Sequence, residues 1–458
     1  MDSSPPVINA ATIIDESPWS PLQKRVAAIC FCLALLEGFD SQAMGYAAPK
    51  VAQEFGLGPA GLSVVFTVGL LGMFLGSGAF GLIADRVGRR RVVLAGTALF
   101  GVFTLLIAVF GNNVETLAAL RFVAGIGMGG TIAVQVALVA EYTPARIRST
   151  VIMVLVGALG LGSFVGGLLA TAMLPSLGWR SIFVVGGALP IVLVAWMLPG
   201  LPDSIRFLIA SGRHDRARTL LRRVAPQAMT DEKATLMLPE VRAHRSPVAT
   251  LFTERRAMAT TLVWIAFFMN FLAVYLLLSW LPVLFGQAGL SPQMATAATA
   301  TFTLGGFVGA IVLGLLVDRR AHSSRTLAIG YLGAAVFAVV ASLTTDQPAI
   351  LFVAIFFAGF GVIGCQGGLS AAAASMYPTS ARGTGVGWAT GFGRLGSILG
   401  PTLGGALLAS GLAATSVIAV AAVPVALAAV AVGPLGLVNS RREATNPVEQ
   451  LQHADPAG

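Results

Sequence analysis

What most constrains this chain is an apolar run of membrane-spanning length that recurs twelve times between Val26 and Val438. About 17–25 apolar residues carry a helix across the hydrocarbon core of a bilayer. Inside that core every backbone N–H and C=O needs a partner, which a helix supplies from its own segment. The runs fall at 26–48, 62–84, 92–111, 114–140, 150–174, 180–199, 258–286, 293–317, 325–345, 348–377, 384–410 and 412–438. Charged residues are only 11% of the chain, where a soluble domain carries about 25%. The expected fold class is an all-α membrane protein with 12 transmembrane helices.

The net charge of +9 raises the question of nucleic acid, and the placement of the charges answers it. Basic residues gather at alternate junctions: Lys24 and Arg25, Arg86 with Arg89, Arg90 and Arg91, Arg146 and Arg148, the 200–257 segment, Arg319, Arg320 and Arg325, Arg382, and Arg441 with Arg442. Of the 29 Lys and Arg, only Lys50 and Arg180 fall on the opposite side, and Arg121 and Arg394 lie within spans. This is the positive-inside pattern. It predicts a multi-pass protein of the cell (inner) membrane with both termini cytoplasmic, whose partner is the lipid bilayer and not nucleic acid.

Residues 1–25 read as a disordered cytoplasmic tail without a signal peptide, and 439–458 as a second tail. The longest polar interruption, 200–257, is expected to be a cytoplasmic linker between six-span bundles at 26–199 and 258–438. Within it, Asp203 to Arg223 has helical spacing, with Asp203 or Ser204 as the cap. The two halves carry an internal repeat: GLIADR at 81–86 returns as GLLVDR at 314–319, and Arg148-Ser-Thr as Arg382-Gly-Thr. Repeat-built transporters alternate access by rocking one half against the other.

Four charges within the spans do not repeat. A shift of 234 positions takes Glu37 to Phe271, Asp40 to Val274 and Arg121 to Ile355, and takes Arg394 back to Gly160. An intramembrane charge costs about 2.5–3.5 kcal/mol even on lenient scales, so such residues mark functional sites. Glu37 and Asp40 stand one helical turn apart, and two carboxylates that close cannot both ionise cheaply. One is expected to hold a proton, with Asp40 favoured and Glu37 protonating or tuning it. Arg121 and Arg394 offer planar forks for a substrate carboxylate, or else pair with the two acids. The four histidines all lie outside the spans, so no histidine relay is available there. Cys30, Cys32 and Cys365 suggest neither a disulfide nor a metal site. Asn270, Tyr275 and Gln366 are the scarce polar candidates to line a substrate cavity, or else hydrogen-bond between helices; Trp280 suits an interfacial belt.

GLIADRVGRRR at 81–91 and RFVAGIGMGG at 121–130 resemble signatures of the major facilitator superfamily. Glu37-Gly38-Phe39-Asp40 resembles the first-span motif of its aromatic acid:proton symporters, although that family more often has Asp at the first position. With Ser41 to Pro49 following, it is similar to the 3-(3-hydroxyphenyl)propionate branch. Gly383-Thr-Gly-Val-Gly387 and Gly393-Arg394-Leu-Gly396 match the eleventh span of the family. The resemblance implies two six-helix bundles and a transporter, not an enzyme. It would import a 3-hydroxyphenylpropionate-like or hydroxybenzoate-like acid with a proton, as a monomer, without a cofactor. It also implies proton coupling at Glu37 and Asp40 and substrate contact at Arg121 and Arg394. A cytoplasmic gate would involve Asp85, Arg86, Arg89, Arg90, Glu141, Arg148, Asp318 and Arg319, with Asp85 meeting the start of span eleven. The rival readings are a proton-coupled exporter of drugs or metabolites and a carrier of a non-aromatic organic anion.

Overall fold

The computed structural model describes residues 7–226, 235–237, 248–253, 256–319, 323–377 and 382–435. It divides into two units, Met1–Gly56 with Val64–Arg242, and Leu57–Ser63 with Ala243–Gly458. The first holds β1 (Val7–Asn9), α1 (Ala10–Glu16), α2 (Pro21–Phe55), α3 (Pro59–Val87, apart from its first turn), α4 (Arg89–Phe110), α5 (Val114–Tyr142), α6 (Ala145–Leu177), α7 (Arg180–Gly200), α8 (Ile205–Ala210), α9 (His214–Val224) and β2 (Thr235–Met237). The second holds α10 (Ala257–Gln287), α11 (Pro292–Arg319), α12 (Ser323–Leu343), α13 (Pro348–Val362), α14 (Cys365–Met376), α15 (Arg382–Ala409), α16 (Ala414–Val420) and α17 (Ala422–Val432).

Among the described residues, eleven helical stretches are long and apolar enough to cross a membrane. They are α2 to α7, α10 to α12, α13 running into α14, and α16 running into α17. Helix α15 has the length, at 28 residues, but its glycines and Arg394 dilute the apolar content. The ends follow capping chemistry. Ser20 and Gln23 form a capping box at the start of α2, with Pro21 at the first helical position, and Gly56 closes that helix at φ +62°. Two expected spans are interrupted. At Ile363 and Gly364 the dihedrals stay helical, but Gln366 N–H donates to the Ile363 carbonyl, one residue short of the α pattern. Between α16 and α17, Pro424 has no N–H to offer the Val420 carbonyl.

Small residues bring the spans together. A Cβ on Gly38 would land on the Leu159 carbonyl, and one on Gly162 on the Leu35 carbonyl, so α2 and α6 touch backbone to backbone beside Glu37. Gly125 and Gly129 do the same for α5 against Gly69 and Met73 of α3. Trp280 is not interfacial: it is fully buried, and its indole N–H donates to the Pro401 carbonyl at 2.9 Å.

The N-terminal segment differs from the disordered tail expected of it. Val7–Asn9 pairs in parallel with Thr235–Met237, a short two-stranded ladder among described residues that are otherwise without strands. Ile13 and Ile14 of α1 are buried. The expected linker helix is two helices. The Ser204 hydroxyl accepts from Phe207 N–H at 3.1 Å to cap α8, and Gly212 at φ +71° turns the chain into α9.

Candidate transport site

The acids of α2 take separate partners. Asp40, fully buried, accepts from Arg121 Nη1 at 2.9 Å on one carboxylate oxygen and from the Thr104 hydroxyl at 2.9 Å on the other. The Arg121 Nη2 also reaches the Asp40 backbone carbonyl at 3.5 Å. Glu37, equally buried, accepts from the Thr131 hydroxyl and from the Gln135 side-chain amide, and forms no ion pair with a described residue. The geometry follows from antiparallel neighbours. Helix α5 presents Arg121 to the later acid of α2, then Thr131 and Gln135, one turn apart, to the earlier one. The Gln135 Oε1 is buried without a hydrogen-bond partner among the described residues.

Thr104, Thr131 and Gln135 were not among the candidates read from the sequence. Gln135 carried a usable signal, an amide in an apolar span at i+4 from a threonine. The threonines carried none, since Thr97 and Thr143 also sit in or beside spans and merely bond their own helix backbone.

In the second unit, Arg394 of α15 is half-buried with its guanidinium carbon 5.7 Å from the centre of the Phe271 ring. Phe271 stacks on Tyr275, centroids 6.2 Å apart and planes 22° apart. Arg394 has no hydrogen-bond or ion-pair partner among the described residues. Asn270, next to Phe271, is buried, and both polar atoms of its amide lack a hydrogen-bond partner among the described residues. Thus Arg394 and Tyr275 flank Phe271, and Asn270 precedes it on the same helix. Gln366 lies half-buried on α14; its backbone carbonyl accepts from Ser370 at 3.3 Å, and its side chain makes no hydrogen bond to a described residue.

Of the gate candidates, Arg89 pairs with Glu141 at 2.5 Å, and Glu141 also accepts from the Ser204 hydroxyl at 2.6 Å. Arg148 pairs at 2.6 Å with Asp15 of α1, an acid absent from the sequence candidates. Arg89, Glu141, Arg148 and Asp15 line a cavity of about 320 Å³ under α1. Arg90 donates to the carbonyls of Leu201 and Leu198, both at 2.6 Å. Asp85 and Arg86 are exposed, without a hydrogen bond or ion pair to a described residue. The side chains of Asp318, Arg319 and Arg382 lie outside the described residues. No three His, Cys, Asp or Glu side chains converge as a metal site requires among the described residues.

Many membrane-length helices, with buried charges held by side chains of neighbouring spans, define a multi-pass membrane protein with a polar site among its spans. The Major Facilitator Superfamily model matches residues 30–297 and 263–456, and the chain belongs to that family. It is 37% identical over 407 residues to the 4-hydroxybenzoate transporter PcaK of Pseudomonas putida, covering 88% of this chain and 90% of that one. A gallate transporter of Pseudomonas putida is 36% identical over 412 residues, 89% and 91% of the two chains. The 3-(3-hydroxy-phenyl)propionate transporter of Escherichia coli is 32% identical over 383 residues, 84% and 86%. The xylose transporter XylE of E. coli, in an inward open conformation, shares the fold with a TM-score of 0.71 at 17% identity, over 89% of this chain and 95% of that one. The chain is therefore a secondary active transporter related to carriers of aromatic acids.

Proposed function

We propose that this chain is a proton-coupled symporter that imports an aromatic carboxylic acid by alternating access. In this reading α15 is the twelfth span and completes two six-helix bundles, with both termini cytoplasmic at the inner membrane. The protein works as a monomer without a cofactor, driven by the proton gradient. The observation that carries the reading is the contrast between two arginines. Arg121 is committed to Asp40, whereas Arg394 lies over an aromatic ring with no acceptor among the described residues.

Arg394 then takes the substrate carboxylate, its planar fork matching both oxygens. Phe271 and Tyr275 give the ring a flat apolar wall. The Asn270 amide supplies a donor and an acceptor to a ring hydroxyl. The higher identity to the 4-hydroxybenzoate and gallate transporters than to the 3-(3-hydroxy-phenyl)propionate transporter favours a hydroxylated benzoate.

Glu37 is the proton carrier, in place of the Asp40 favoured from sequence. Its partners are neutral, so gaining or losing a proton breaks no ion pair. Protonating Asp40 would strand the buried charge of Arg121. With a proton on Glu37, rotation of the Gln135 amide turns its unpartnered oxygen into the acceptor. Protonation outside removes one charge from the site and lowers the cost of moving it through a low dielectric. Deprotonation inside restores the charge and resets the cycle. Arg89, Glu141 and Arg148, with Asp85, Arg86, Arg90, Asp318 and Arg319, form the cytoplasmic gate.

The test is uptake of labelled 4-hydroxybenzoate, gallate and 3-(3-hydroxyphenyl)propionate into proteoliposomes, by counterflow and under an imposed pH gradient. Accumulation of a hydroxylated benzoate that collapses with the gradient is expected. No pH-driven accumulation of any of the three would overturn the reading.

A further inference from the structure

A second cavity, of about 330 Å³, opens where α7 ends, between the turn at Pro199–Asp203, helix α9 and the foot of α2. Its charged lining is three arginines, Arg90, Arg216 and Arg223, against one acid, Asp203. The sequence of α9 builds this wall. Ala217, Leu221 and Val224 fall at i, i+4 and i+7 and are buried, which fixes the helix against the unit. Arg216, Thr219 and Arg223, at i, i+3 and i+7, form an adjoining face that lines the cavity.

The three arginines are not equivalent. Arg90 is spent on the terminal carbonyls of α7, at Leu198 and Leu201, and contributes its charge but few donors. Arg216 and Arg223 are exposed and make no hydrogen bond or ion pair to a described residue. The backbone carbonyl of Asp203 is occupied by the Tyr142 hydroxyl, at 2.5 Å. Two guanidinium groups with free donors therefore face a concave, net positive space at the very end of a membrane span. The same face of α7 that supplies Pro199 carries Val192 and Trp196, at i−7 and i−3, which are 65% and 47% exposed. A tryptophan at that depth matches the headgroup boundary.

We propose that this cavity seats the phosphate of an anionic phospholipid, held by Arg216 and Arg223, with the acyl chains along Val192 and Trp196. Basic hollows at the ends of spans are suited to such headgroups. A free phosphate would satisfy the same arginines, but the apolar face that continues from the cavity serves only a lipid. Through α9 the bound lipid would brace the linker segment.

The experiment uses the full chain in detergent and follows thermal unfolding and native mass spectra with phosphatidylglycerol, phosphatidylcholine or inorganic phosphate added. Phosphatidylglycerol is expected to stabilise the wild type at about tenfold lower concentration than phosphatidylcholine, a preference worth about 1.4 kcal/mol. That preference should vanish in Arg216→Gln/Arg223→Gln and persist in Arg218→Gln/Arg222→Gln, which removes equal charge from the same helix outside the lining. Equal stabilisation of the wild type by both lipids, or equal loss in both double variants, overturns the proposal. Stabilisation by inorganic phosphate at the concentration effective for phosphatidylglycerol overturns the lipid assignment. Should the first double variant fail to fold, competition of the two lipids on the wild type in native mass spectra decides alone: no enrichment of phosphatidylglycerol refutes the site.

Discussion

Arg121 and Asp40, 81 residues apart in sequence, form a buried ion pair at 2.9 Å whose second carboxylate oxygen is held by Thr104. Removing one member leaves the other charge buried alone, at a cost of about 3–5 kcal/mol. Arg121→Gln and Asp40→Asn are each expected to lower the unfolding midpoint and abolish uptake. Combining them removes both charges, so the midpoint should recover while uptake does not. Thermal unfolding in detergent beside proteoliposome uptake checks both.

Glu37→Gln keeps the side-chain shape but cannot titrate. Its amide still accepts from Thr131, and its NH₂ can face the Gln135 oxygen that now lacks a partner. The expected outcome is a stable protein that exchanges substrate in counterflow yet no longer accumulates it against a pH gradient. Accumulation retained in this variant would remove Glu37 from the proton path.

Arg394→Lys keeps the charge and loses the fork and the flat face that meets Phe271. About tenfold weaker substrate binding is expected, near 1.4 kcal/mol, with folding unchanged. The half-saturation concentration for counterflow reads it directly.

Asn270→Leu removes a buried amide with no described hydrogen-bond partner, so stability should hold or rise. Discrimination between hydroxylated and unhydroxylated aromatic acids should fall at the same time, because a site that hydrogen-bonds a hydroxyl rejects its deoxy analogue. Competition uptake measures the ratio. Unchanged discrimination would take Asn270 out of substrate recognition.

Asp15 and Arg148 pair at 2.6 Å near the surface, each about one-third exposed. Partly exposed pairs are worth about 0–1 kcal/mol and are screened by salt. A double-mutant cycle with Asp15→Asn and Arg148→Gln should return a small coupling that disappears in high salt. Transport rate measured alongside reports whether this contact slows the gate.

The spans were legible because hydrocarbon thickness imposes one length on every crossing helix. Glu37, Asp40, Arg121 and Arg394 stood out for the related reason that charges are scarce there. Their pairing was not legible. Which acid meets Arg121 depends on the registration of α2 against α5, a tertiary relation that no spacing rule along one helix reports. Thr131 and Gln135 were hidden because neutral polar residues are common in spans and mostly serve their own helix. The break at Ile363–Gly364 left no mark either, since it changes hydrogen-bond partners and not dihedrals. Asp15 was concealed by composition: a short polar stretch reads as tail until Ile13 and Ile14 find a surface.

The ladder between Val7–Asn9 and Thr235–Met237 has a consequence for the order in which the molecule is made. A ribosome releases the first strand long before the second exists, and chains acquire structure from the N-terminus as they emerge. Six spans must therefore be inserted while residues 7–9 wait without their partner, and the ladder closes only once the linker has been translated. Closure ties the start of the first unit to the linker that follows its last span. A fusion or tag joined directly ahead of Val7 would load that last step rather than the first.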